Sequence, residues 1–318
     1  MKQAAFESLH VSEWSAFERL LENDPRAPLR GADFPRLYRR VCQHLALARD
    51  RAYGPDLVDR LNALALRGHR VLYGAEGMRR NQLAEFFLRR LPLMVREELP
   101  LVLTAALLFF GPFALVALAL QRYPDFVAYL LSPHELADLQ RMYDPANPHP
   151  GMRPADSNVL MFAFYIWNNV KIGFQTFAGG MLLGLGTIFY LVLNGLQIGA
   201  AAGYLTQIGY GVPFWSFVAG HSAPELTAIV LSGAAGLRLG AALIAPGRLT
   251  RRAALTAAAR RAVQLVYGAA ALFTIAAFVE AFWSPVGFVP AQIKYAVGAS
   301  LWSALLAYLA LVGGRHAR

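Results

Sequence analysis

Chemistry in this chain would centre on His221 and Glu225, which stand four residues apart in an apolar stretch, Phe214-Trp-Ser-Phe-Val-Ala-Gly-His-Ser-Ala-Pro-Glu-Leu-Thr-Ala-Ile-Val-Leu. Four residues is about one helical turn, so both side chains share a face. A carboxylate surrounded by hydrocarbon is costly and usually points into a bundle or a wet cavity. The pair can serve as a proton or cation site, as half of a metal site, or as a structural hydrogen-bonded couple. Two ligands are too few for a metal centre, so no metal and no cofactor are expected. No nucleophile motif and no HExxH pattern is present, and the chain is read as a non-enzyme.

Other polar groups lie in similarly apolar surroundings. Asn168 and Asn169, with Asn194 and Gln197 further on, either link helices by amide hydrogen bonds or line a hydrated cavity. Glu280, in Ala276-Ala-Phe-Val-Glu-Ala-Phe-Trp-Ser-Pro, is a second carboxylate near the end of an apolar run, where exposure at the membrane interface is the plain reading. Pro224 lacks a backbone donor and frees a carbonyl one turn earlier.

The elements that must hold these residues are membrane helices. Of 318 residues, 56% are hydrophobic and only 16% charged, against about 25% charged in ordinary soluble chains. The first 98 residues carry 17 of the 30 lysines and arginines, whereas 158–246 hold only Lys171, Glu225 and Arg238. The fold class is therefore all-α: a polytopic integral membrane protein of about six spans behind an N-terminal helical domain. The domains are 1–98 and 99–318, with spans at about 99–120, 159–177, 180–204, 214–244, 263–283 and 295–312. The polar Asn168 segment leaves one crossing plus a re-entrant pair as an alternative.

In the first region, Phe34, Leu37, Tyr38, Val41, Leu45 and Ala48 recur at helical spacing, as do Leu57, Leu61, Leu64, Val71 and Leu72. A third amphipathic run, Leu83, Phe86, Phe87, Leu91 and Met94, is interspersed with Arg79, Arg80, Arg89 and Arg90. It either joins a small helical bundle or lies on the inner leaflet. The proline-rich stretch 121–157 includes a short helix from Pro133 to Met142 capped by Ser132, whose His134, Glu135 and Asp138 read as a solvated face. The single cysteine, Cys42, excludes an internal disulfide, and the N-terminus has no apolar h-region of a signal peptide.

Charge asymmetry orients the chain. The N-terminal region, the basic loop 247–262 (Arg248, Arg251, Arg252, Arg260, Arg261) and the tail with Arg315 and Arg318 are expected in the cytoplasm. The loops 121–157 and 284–292 are expected outside. The net charge of +10 is explained by this rule, and no basic-aromatic module for nucleic acid appears. Small residues at four-residue spacing, Gly180/Gly184, Gly195/Gly199, Gly199/Gly203 and Gly236/Gly240, let helix backbones approach, either within the chain or across a homodimer.

The order of these motifs resembles the stage II sporulation protein M family of bacterial membrane proteins. The matching pieces are Asn168-Asn-Val-Lys-Ile-Gly-Phe, Gly180-Met-Leu-Leu-Gly-Leu-Gly-Thr, Asn194-Gly-Leu-Gln-Ile-Gly and Gly220-His-Ser-Ala-Pro-Glu-Leu. Pro246-Gly-Arg-Leu-Thr-Arg-Arg-Ala-Ala-Leu and Phe278-Val-Glu-Ala-Phe-Trp-Ser-Pro follow in order, and Tyr38-Arg-Arg-Val-Cys-Gln-His and Leu61-Asn-Ala-Leu-Ala-Leu-Arg-Gly-His extend the likeness to the soluble region. Ser222 departs from the glycine that the family more often has after the histidine. The resemblance implies a membrane-embedded member of a complex with peptidoglycan-degrading partners in spore formers, and supplies no catalytic residue. The expectation is an inner-membrane protein, with both termini cytoplasmic, that organises a complex with other envelope proteins. The alternative is a channel or transporter for protons or small ions built on His221, Glu225, Asn168 and Asn169.

Overall fold

The computed structural model describes residues 2–23, 34–72, 80–147 and 157–313, without side-chain description at 22, 23, 70–72, 80 and 81. The side chains of Val71, Leu72, Arg79, Arg80, Arg315 and Arg318, singled out above, lie outside the described residues. The chain divides into two compact units, 1–84 and 85–318. Among the described residues no strand occurs.

The first unit contains α1 (Gln3–Asn23), α2 (Phe34–Asp50), α3 (Pro55–Leu72) and the short α4 (Arg80–Glu85). In α2, Phe34, Leu37, Val41, Leu45 and Ala48 are buried, the three-and-four periodicity read from sequence. They meet Phe6, Trp14 and Phe17 of α1 and Leu57, Leu61 and Leu64 of α3 in one apolar core. The Gln3 side-chain oxygen accepts from the Gly54 backbone N–H (2.8 Å), tying the start of α1 to the α2–α3 turn. Arg60 pairs with Glu18 at 3.2 Å on the outside.

The second unit opens with a π-helical turn at Phe86–Arg90 and α5 (Leu91–Glu97). This segment, assigned with the first region from sequence, packs in the second unit: Leu91, Met94 and Val95 share a core with Leu265, Ala269 and Phe273. Arg96 donates to the Leu309 carbonyl (2.7 Å), and the Tyr308 hydroxyl donates to the Phe87 carbonyl. The amphipathic arginine-flanked run thus finds its apolar partner on the membrane helices.

Six long helices follow: α6 (Leu99–Arg122), then, after the short α7 (Pro133–Tyr143), α8 (Asn158–Ala178), α9 (Leu185–Gln207), α10 (Gly211–Ile244), α11 (Arg251–Phe282) and α12 (Ala291–Leu311). Five of them, α6 and α9–α12, are long and apolar enough to cross a membrane. The sixth, α8, has 21 residues and matches them in length, but carries Asn168, Asn169, Lys171 and Gln175. It packs along α10 and α11 as an unbroken helix. On α6, Leu103, Leu107, Leu115 and Leu118 are all more than half exposed, a ridge that suits acyl chains.

One expectation is corrected. The basic segment 247–262 is not a loop: α11 begins at Arg251, so four of the five arginines are helical. Thr250 caps the first turn by accepting from the Ala253 N–H (3.3 Å), and the alanine-rich 253–262 run favours helix. At 1.5 Å per residue, the 32-residue α11 is about 48 Å long, well beyond a hydrocarbon core of about 30 Å. Its arginine-bearing third therefore projects from the apolar layer, where Arg261 meets Glu97 (3.3 Å) and Glu98 (3.4 Å), and Arg238 meets Glu98 (3.0 Å).

Glycines set the helix spacing. A methyl at Gly195, Gly199 or Gly203 of α9 would run into the backbone of Phe109, Phe113 or Ala117 of α6, so the four-residue stripe on α9 is matched by a four-residue stripe on α6. Gly180 abuts the Gly236 carbonyl, and a methyl on Gly240 would lie 2.5 Å from the Gly184 nitrogen. The α8–α9 turn is thereby pressed onto α10, with Leu183 (φ 54°) and Gly184 (φ 82°) both left-handed. The glycine faces that suggested a homodimer are all used within the chain.

Candidate functional site: an acid–imidazole chamber in the membrane unit

α10 is 34 residues long and runs through Pro224 without interruption. His221 lies ten residues and Glu225 fourteen residues from its start, about 15 and 21 Å along the axis. His221 Nε2 and Glu225 Oε2 are 3.7 Å apart, the one-turn neighbours that the spacing implies. The third member comes from α11: a Glu280 carboxylate oxygen, a Glu225 oxygen and a His221 ring nitrogen all lie within 4.8 Å of one another. Glu280 Oε2 is buried and makes no hydrogen bond among the described residues. The interface exposure read from its place near the end of a span is thus replaced by an inward position, because α10 and α11 pack along most of their length.

A cavity of about 310 Å³ adjoins this cluster. Its polar lining is Gln197, Ser222, Tyr143 and the His221–Glu225–Glu280 group; Phe113, Leu139, Phe214 and Phe217 supply much of the rest. No lysine or arginine is among the residues that line it. Tyr143, the last residue of α7, stacks edge-on against Phe214 (5.2 Å) and Phe217 (5.7 Å) and so covers one side. Burial pushes its phenol well above the usual tyrosine range, and the Glu280 and Glu225 carboxylates add to the shift. α7 itself is held by a capping box in which Ser132 accepts from the Glu135 N–H (3.3 Å) and Glu135 accepts from the Ser132 N–H (2.7 Å). On this helix His134 is exposed and stands 3.5 Å from Asp138, which is partly buried and also pairs with Arg141.

Behind the cluster, His221 Nδ1 shares a hydrogen bond with the Ser284 hydroxyl (3.0 Å), and the fully buried Ser284 gives its carbonyl to Lys294 Nζ (2.7 Å). Ser284 sits in the turn after α11, and Lys294, itself buried, is on the first turn of α12. Trp302 of α12 donates to the Ser222 hydroxyl (3.0 Å). The imidazole is therefore held by the turn after α11, and that turn is held in its place by Lys294 of α12. Ser284, Lys294 and Tyr143 were not singled out from sequence: serine and tyrosine give no local signal there, and only an isolated lysine in an apolar run hints at the third.

The amide residues go elsewhere. Asn194 donates to the Tyr190 carbonyl of its own helix (2.6 Å). Asn168 donates to Asn169 Oδ1 (3.4 Å), and Asn169 is buried with its own amide nitrogen unpartnered. None of the three lines the cavity, where α9 presents Gln197 instead. A second histidine cluster occurs in the first unit, His10, Glu13 and His44. There Trp14 donates to His44 Nδ1 (3.0 Å), so the neutral ring carries its proton on Nε2 and has no lone pair left for a metal.

Fold and site together define a polytopic helical membrane protein with an acid–imidazole chamber between its helices. The family model described as Stage II sporulation protein M matches residues 103–285, more than half of the chain and all of the chamber's polar cluster, and the chain belongs to that family. A model described as Domain of unknown function (DUF8413) matches residues 4–74, within the first unit. No curated protein and no solved structure matches the chain.

Proposed function

We propose that this is a non-enzymatic protein of the bacterial inner membrane whose working site is the chamber at His221, Glu225 and Glu280, where it takes up protons or small cations. The observation that carries this reading is a pair of carboxylates and an imidazole converging beside a cavity whose lining includes no lysine or arginine. Ionisable groups at such depth mark ion and proton pathways more often than they serve stability, because their desolvation is costly. Purified protein in liposomes is expected to move protons or small cations, and Glu225→Gln to abolish the movement. Absence of flux under every imposed gradient, in protein that remains folded, would refute it.

A second reading is favoured by the separately compact first unit and by the family to which the membrane unit belongs. Here the chain organises an envelope complex, with the first unit as its cytoplasmic contact. Crosslinking in native membranes should recover defined partners; repeated recovery of the chain by itself counts against this role. Both readings use a topology of six crossings with the termini and the basic end of α11 in the cytoplasm, which cysteine labelling from either side tests. The glycine faces are occupied within the chain, so a homodimer requires a different face, and mass in detergent tests for one. Neither reading involves nucleic acid.

A further inference from the structure

The geometry points to a divalent transition-metal site, and we infer that His221 Nε2, Glu225 and Glu280 together bind one such ion, zinc or manganese in class. The inference rests on the chamber proposed above as the working site, and it narrows the occupant from any small cation to one kind.

Three features argue for it. The first is the convergence of acceptors without a cationic side chain among the lining residues. His221 Nε2 and Glu225 Oε2 are 3.7 Å apart, too far for a hydrogen bond, while Glu280 Oε2 is buried and has no partner among the described residues. No arginine or lysine lines the chamber, and Lys294 Nζ is bonded to the Ser284 carbonyl rather than to either carboxylate. A group of this kind is stable only with a cation or protons among its oxygens.

The second is the imidazole's rear contact. Ser284 Oγ sits 3.0 Å from Nδ1. With Nδ1–H donating to that oxygen, Nε2 presents its lone pair to the carboxylates. Metal-ligating histidines are held in this way, by an acceptor on the ring nitrogen that does not bind the metal. Lys294 in turn pins the Ser284 backbone, so the partner of the imidazole is itself held by α12.

The third is charge and donor type. Two carboxylates balance a dication, which removes the cost of leaving net charge inside the helices. Calcium and magnesium prefer all-oxygen sets, whereas one imidazole with two carboxylates suits the first-row transition metals. In a tetrahedral site with bonds of about 2.1 Å the donors lie about 3.4 Å apart. The donor atoms already lie within 4.8 Å of one another, so an ion has to draw them together by about 1.4 Å at most. The adjoining cavity leaves room for water or a further ligand at the remaining positions.

The test uses the full chain with its affinity tag removed, stripped with a chelator and exchanged into detergent or nanodiscs. Zinc bound after desalting is measured by elemental analysis, and cobalt substitution gives the d–d absorption of a four- or five-coordinate site. The wild type should retain about one equivalent, and zinc should raise its apparent Tm. The Glu225→Gln/Glu280→Gln variant, whose metal-free Tm reports whether it folds, should show neither retention nor shift. His221→Gln should weaken binding at least tenfold. Ser284→Ala should weaken it too, as a positioning residue, with the cobalt spectrum changed rather than lost. Equal retention by the double variant, or no retention by folded wild type, overturns the metal assignment. Proton flux that depends on Glu225 without any bound metal also overturns it, while leaving the ion-handling reading in place.

Discussion

Replacing Gly199 by alanine tests the claim that backbone contact, rather than side-chain packing, joins α6 to α9. A methyl there would lie 2.5 Å from the Phe113 carbonyl oxygen and 2.8 Å from its Cα, against about 3.4 Å for ordinary contact. Both opposing atoms are backbone, so no rotamer change relieves the overlap, and the two helices must separate by roughly 0.9 Å. Overpacking of this kind costs about 1–3 kcal/mol. Alanine also favours helix over glycine by about 0.5–1 kcal/mol, which offsets part of the cost. The control is Gly111→Ala on α6, where the added methyl meets only Leu107 Cδ1 at 3.9 Å. There the helix preference acts unopposed, and the sign should reverse. For a domain of this size about 1 kcal/mol shifts Tm by roughly 2–4 °C. Thermal unfolding in detergent should therefore show Gly199→Ala falling by several degrees and Gly111→Ala unchanged or slightly raised. A Gly199→Ala protein as stable as the wild type, or a Gly111→Ala protein that falls equally, would refute the reasoning.

Three further outcomes are expected. Glu98→Gln should lower stability by about 1–2 kcal/mol, because it removes the buried charge between Arg238 and Arg261; the arginines are 35% and 51% exposed, which keeps the loss below that of a fully buried pair. Glu97→Gln, at 57% exposure, should change Tm little in the same assay. In the first unit, burial and then the neighbouring His10 lower the His44 pKa from 6.5, so the stability that the neutral ring confers is complete above pH 6.5 and is lost as pH falls toward the folded value. Protection factors on α1 and α2 of the full chain, with the slower intrinsic exchange at low pH divided out, should fall between pH 7.5 and 5.5, and His44→Phe should flatten that dependence. Ser132→Ala removes the α7 cap at about 1 kcal/mol and should speed exchange across Pro133–Tyr143. The Ser132 hydrogen bonds hold Glu135 below 4.5, so the cap's benefit is present above that pH and fades as pH falls further.

What the sequence determined by itself is whatever depends on neighbours along the chain. Apolar length specified the membrane helices, the three-and-four periodicity of Phe34, Leu37, Val41 and Leu45 specified the buried face of α2, and Ser132 with Glu135 specified the start of α7. The facing of His221 and Glu225 follows from one helical turn, and the family was legible in the order of short motifs. The partners of those residues were not legible, because they are chosen by contacts between distant helices. Glu280 reaches the His221–Glu225 pair from 55 residues away only because α11 lies along α10; Ser284 reaches the imidazole from the turn after α11, and Lys294 of α12 holds that serine. The same holds for the glycines, whose spacing allows close approach without saying to what; α6 and the α8–α9 turn occupy those faces. It holds also for Asn168, Asn169 and Asn194, whose polarity is local but whose rotation away from the chamber is set by how α8 and α9 pack. Helical periodicity fixes which side chains share a face, and only the packing of one helix on another fixes what that face meets.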